Sequence, residues 1–158
     1  MSPELKETLP LVISGVVAAV GLFTLIKGLI EFRKSTVTKR LELFLSMRTR
    51  LREDVEFIVI CALLEHDDKK LREIPLIQKD RFTGFFEELA IMRNSDLMTD
   101  ELALYMFGYY AILCKKSENF WYLLNKKEVF WSLFFDFASD MEERQNSYQY
   151  DRRRLTLK

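Results

Sequence analysis

From Leu9 to Ile26 the chain runs 18 residues without a charged side chain, LPLVISGVVAAVGLFTLI. As a helix rising 1.5 Å per residue this is about 27 Å long, close to the roughly 30 Å of a bilayer's hydrocarbon core. Lys27 can snorkel, which extends the apolar reach through Leu29 and Ile30 and gives a span over residues 9–30. Pro10 suits the first turn, where its missing N–H has no intrahelical partner to lose. A cleaved signal peptide competes, but the leader MSPELKET carries two acids and one lysine, and no A-x-A follows the run. A buried helix of a soluble bundle is the other alternative. Ser14, Ala18, Gly21 and Gly28 fall on one stripe. Small residues on one face let helices approach closely in lipid, which suggests self-association, although glycine and alanine are common in spans generally.

A second pattern follows. Val37, Leu41, Phe44, Arg48, Leu51, Val55, Ile58 and Ala62 alternate steps of four and three, the mark of an amphipathic helix. Such a seam serves either a coiled coil between chains, with Val37, Leu41, Phe44 and Leu51 as pairing positions, or one side of a bundle core. Phe57, Val59, Ile60 and Leu63 widen the stripe in its second half and favour the bundle there.

The charged segment HDDKKLRE (66–73) reads as a connection, and Pro75 opens a helix running to about Arg93, with Ile77, Phe82, Phe85, Phe86, Leu89 and Met92 inward. Asn94-Ser95-Asp96 reads as a turn. Thr99 is an N-cap, with Asp100 and Glu101 where the helix dipole favours negative charge. The helix after it, to about Cys114, is apolar nearly all round, which implies a central position; Gly108 within it implies close helix contact. The aromatic stretch from Phe120 to Phe137 is one broken helix or two short ones. Residues 147–158 have too few apolar side chains to pack and read as a disordered basic tail. The expectation is an all-α fold: one N-terminal transmembrane helix, then a small aromatic-rich helical bundle of three to five helices over residues 31–146.

Length changes little, since 158 residues minus a span leave enough for one modest core. Charge changes more. The totals balance at 24 basic and 24 acidic, yet residues 27–52 hold eight basic side chains against Glu31 and Glu42, an excess of six. Basic residues at one end of a span stay on the cytoplasmic side, so residues 1–8 should lie outside and the helical domain inside, at the cell's inner (plasma) membrane. Lys27, Arg33, Lys34, Lys39 and Arg40 then stand at the headgroups, each attracted by on the order of 1 kcal/mol. We read them as a topology signal rather than as lipid selectivity.

Candidate chemistry is sparse. His66 is the sole histidine, and H-D-D lacks a further ligand nearby, so a solvated loop fits better than a metal site. Cys61 and Cys114 lie on apolar helices and read as small hydrophobes, not nucleophiles. Glu87 and Glu88 point about 100° apart on a helix and do not converge unaided. No catalytic, metal-ligating or cofactor-binding residue is assigned. The aromatic stretch suggests no nucleic-acid binding, because the domain after residue 52 is net acidic. The implied partners are the lipid bilayer and a protein, either a different chain or a second copy, with no small-molecule substrate evident. The leading functional expectation is a non-enzymatic, membrane-anchored interaction or regulatory module. The alternative is a small oligomerising membrane effector, such as a stress or phage-defence component. An enzyme would need a pocket lined by converging polar side chains.

The stretch FFEELAIMRNSDLMTDELALYMFGYYAILCKKSENFW, residues 85–121, resembles the core of a bacterial family of single-span proteins whose helical domain is of unknown function. The shared pattern is an aromatic-F-E-E-L-A opening, a short acidic turn, a helix carrying F-G-Y-Y and a tryptophan-containing segment. Ser95-Asp96-Leu97-Met98 stands where that family carries a glycine-containing turn. The resemblance implies an N-terminal anchor and a helical domain, and no activity.

Overall fold

The computed structural model describes the backbone of residues 3–147 and the side chains of residues 21–28, 31 and 37–147. Among the described residues the fold is all-helical. Its elements are α1 (Pro3–Glu53), α2 (Val55–Leu64), α3 (Leu76–Asn94), α4 (Asp100–Ala103), α5 (Tyr109–Lys116) and α6 (Ser132–Ser147). A π-turn at Leu104–Gly108 joins α4 to α5, and 3-10 turns lie at Lys69–Glu73 and Val129–Trp131. The chain divides into two compact units, Met1–Lys39 and Arg40–Lys158.

In the first unit, Lys27 pairs with Glu31 at 3.9 Å, both exposed, and a Cβ added at Gly21 or Gly28 would meet nothing within 4 Å. Among the described residues no helix is long and apolar enough to cross a membrane. Most of the charge-free run Leu9–Ile26 lies outside the residues whose side chains are described, as do Ser14, Ala18, Arg33 and Lys34 and the tail after Ser147.

The second unit is built on phenylalanine. Phe57, Phe82, Phe85, Phe86, Phe107, Phe120, Phe134 and Phe137 are fully buried. They meet mostly edge to face, with Phe57–Phe82, Phe82–Phe86 and Phe85–Phe86 centroids 5.2 Å apart. That geometry sets the positive ring edge against the negative face and adds to the area term. α3 supplies four of the expected inward residues as a block, Phe82, Phe85, Phe86 and Leu89, and Met92 is buried too. Ile77 differs: as the second residue of α3, in its first turn, it is exposed.

Helix ends follow local chemistry. Thr99 accepts from the Leu102 amide at 3.2 Å, as its position before two acids suggests. α2 and α3 are each followed within three residues by a left-handed aspartate, Asp67 (φ 46°) and Asp96 (φ 55°). In each, the next amide reaches back five residues, Asp68 N–H to the Leu63 carbonyl at 3.0 Å and Leu97 N–H to the Met92 carbonyl at 2.9 Å. Asp96 therefore does the work usually given to glycine, since short polar side chains tolerate this conformation.

Among the described glycines, Gly108 alone has neighbours within 4 Å of an added Cβ. An added Cβ would stand 2.8 Å from Leu104 Cδ1, the movable tip of a side chain one turn earlier, and 3.5 Å from Met141 Cβ, so α6 lies close enough to leave room for a methyl but not for a branched side chain. The helix is less central than its composition suggests, because Tyr105 and Tyr109 are exposed. The aromatic stretch after it forms neither one broken helix nor two: Phe120 and Trp121 pack in from a turn, and regular helix resumes only at Ser132.

Candidate interaction surface

The helical seam expected over residues 37–62 is interrupted at Asp54. Its backbone leaves the helical region (φ −68°, ψ 116°), and its carboxylate accepts from the Glu56 amide at 2.9 Å and the Phe57 amide at 3.4 Å. α2 therefore starts afresh with a new phase. Phe44 and Leu51 of the seam are buried in the core, Phe44 against Phe107 at 6.1 Å. Val37 and Leu41 are exposed. Beyond the break, Phe57, Ile60, Cys61 and Leu64 turn inward. Val55, Ile58 and Ala62, which a continuous seam would bury, face outward with Val59.

Two apolar stripes thus share one ten-residue helix, VEFIVICALL. Residues 57, 60, 61 and 64 and residues 55, 58, 59 and 62 have the same spacing and are offset by two positions, about 200° around the axis. Only the first stripe is covered. Val55 is 73% exposed and Ile58 and Val59 46% each. A helix apolar all round is ordinarily buried all round, and an exposed contiguous apolar strip marks a contact surface. Beside the strip lies a groove of about 390 Å³, with Ile58, Cys61 and Ala62 on one wall and Met106 and Tyr110 on the other. Tyr110 Oη donates to Glu65 at 3.2 Å and so fixes one end of it.

The cysteines are held as thiols. Burial pushes Cys61 up to about 12, with Glu65 adding to it, and burial takes Cys114 well above the usual thiol range. Neither is poised as a nucleophile, because the thiolate is the reactive form.

The H-D-D segment is more than a solvated loop. His66 is exposed, but Asp67 accepts from Ser117 Oγ and from the Asn119 amide at 3.3 Å, and its carbonyl accepts from Asn119 Nδ2. Asp68 caps the following turn through the Lys70 amide at 2.8 Å. Glu88 is bound by Arg50, while Glu87, at the core edge, is pushed up by burial. Of the basic segment, Lys27 and Lys39 are exposed and Arg40 is half-buried.

A polar cleft of about 410 Å³ sits where α3, α4 and α6 meet. Its charges answer one another: Arg93 meets Asp140 at 2.8 Å and Asp100 at 3.7 Å, and Arg144 meets Asp100 at 2.7 Å. This is a clamp between helix ends. Among the described residues no three His, Cys, Asp or Glu side chains are grouped to hold a metal.

Comparison with protein-family models, curated proteins and solved structures returns no match to the chain. The class of protein therefore rests on the fold and this surface: an all-helical bundle with an uncovered apolar helix face.

Proposed function

We propose that the chain is a membrane-anchored docking module, with residues 9–30 as a single span, the N-terminus outside and the bundle presenting α2 to a partner on the cytoplasmic side. The observation that carries the docking part is the uncovered stripe Val55, Ile58, Val59 and Ala62 on a helix whose other face is core. The anchoring part is supported by the charge-free run beside a segment with an excess of six basic residues.

The test places a reporter cysteine at position 2 or at position 156 of the full chain in intact cells. The native Cys61 and Cys114 are buried and supply little background. Sedimentation with membranes, and reaction of only the early reporter with an impermeant thiol reagent, is the expected result. A chain that stays in the supernatant would make the 18-residue run a bundle helix and end the anchored reading.

The alternative, an oligomerising membrane effector, is motivated by the Ser14, Ala18, Gly21 and Gly28 stripe. Overexpression that leaves growth and membrane potential unchanged would remove it.

A further inference from the structure

We infer that the outer face of α2 is covered by α2 of a second copy, packed antiparallel about a two-fold axis that passes between residues 58 and 59. The inference rests on the docking-module reading and names its partner.

The argument is one of self-complementarity. A two-fold contact brings the same patch against itself, so the patch must match its own reverse. Read about the midpoint between Ile58 and Val59, the stripe does. Ile58 falls opposite the second copy's Val59, and Val55 falls opposite the second copy's Ala62, a branched side chain against a small one. The charges follow the same register. Arg52, just before α2, falls opposite Glu65, just after it, and the pairing occurs twice. Both are exposed and both line the groove beside the strip. Among the described residues Arg52 has no hydrogen-bond or ion-pair partner. Glu65 accepts only from the Tyr110 hydroxyl, through one oxygen, among side-chain donors.

The backbone electrostatics agree. In an antiparallel pair each Arg52 stands at the carbonyl end of the other helix and each Glu65 at its amide end, the placement each helix dipole favours. A parallel pair would instead set Arg52 against Arg52 and Glu65 against Glu65. Charge therefore selects orientation as well as partner. A ten-residue strip is small for an interface in free solution, and a shared membrane raises the effective concentration of the two copies.

The experiment is oxidative crosslinking of the full chain in native membranes, with the wild type as blank. Ile58→Cys lies beside the axis and should give a covalent dimer. Val55→Cys alone should not, whereas Val55→Cys co-expressed with Ala62→Cys should give the mixed dimer. Arg52→Glu in the Ile58→Cys background should weaken the dimer band several-fold, and adding Glu65→Arg should restore it. Val55→Cys dimers would show a parallel pair and overturn the register. No dimer at any position, with every variant still in the membrane fraction, would overturn self-pairing and give the face to a different protein, leaving the docking module itself intact. Loss of the variants from the membrane fraction would instead count against the anchor. All the substituted positions are exposed, so the fold is not at issue.

Discussion

Arg50 and Glu88 join α1 to α3 through one nitrogen: Nη1 of Arg50 donates to both carboxylate oxygens of Glu88, at 3.0 and 2.9 Å. The same guanidinium lies 5.4 Å from the centre of the Phe57 ring and 5.6 Å from that of Phe85, so it also covers the aromatic core. These two roles separate on mutation. Glu88→Gln should cost no more than about 0.5 kcal/mol, since the pair is half-exposed, and the loss should vanish in molar salt. Arg50→Ala should cost about 1–2 kcal/mol and persist in salt, because it strips the cover from two rings. Urea unfolding at low and high salt distinguishes them.

Gly84 and Gly108 should respond differently to an added side chain. Gly84 lies inside α3 with nothing within 4 Å of an added Cβ. Gly84→Ala should therefore stabilise by about 0.5–1 kcal/mol, through backbone entropy alone. Gly108→Ala should be near neutral, as the atom in its way is the rotatable tip of Leu104. Gly108→Val should lose about 2 kcal/mol, since its branches drive into Met141. Thermal melts of the three variants give the order.

Leu123 holds a left-handed backbone (φ 62°) with its side chain 87% exposed, so it strains the chain and buries almost nothing in return. Leu123→Gly should raise stability by about 1 kcal/mol. An unchanged or lower melting temperature would show that the side chain has a contact of its own.

Glu142 and Cys61 give pH dependence of opposite sign. Lys115 and Lys116, each 2.7 Å from Glu142, hold its carboxyl down at about 2. A folded-state value below the unfolded 4.5 means that its contribution is present above 4.5 and disappears as pH falls toward 2. Cys61 is raised from 9.0 to about 12, so the unfolded chain loses that proton first and stability falls as pH climbs from 9 toward 12. In unfolding followed across pH, Glu142→Gln should reduce the acid limb and leave the alkaline one, while Cys61→Ala should reduce the alkaline limb in part, the remainder coming from Cys114, whose thiol burial also raises.

Much of this fold is legible in the sequence, and the reasons differ by element. α3 announces itself through Pro75 and the block Phe82, Phe85, Phe86 and Leu89, because buried aromatics at helical spacing leave little other choice. Thr99 with its two acids is a cap that local chemistry alone enforces. The seam across residues 37–62 misleads because hydrophobic period cannot register a phase change. The break rests on one aspartate whose carboxylate competes for two amides, and Asp54 two residues before Glu56 was its only visible signal. The uncovered stripe on α2 was hidden for the same reason, since Val55, Ile58 and Ala62 look like core until the phase is known. The bonds from Asp67 to Ser117 and Asn119 join positions at least 50 residues apart, and no local pattern reports such a pairing.

Those last bonds also bear on how the bundle opens. Asp67 lies in the turn that follows α2, while Ser117 and Asn119 form the corner where α5 gives way to the aromatic turn. Pinned to one another, the two corners cannot fray on their own. Amide protons in the last turn of α2 and at Asn119 and Phe120 should exchange with solvent at a common rate, as one cooperative unit, and Asp67→Ala should uncouple them.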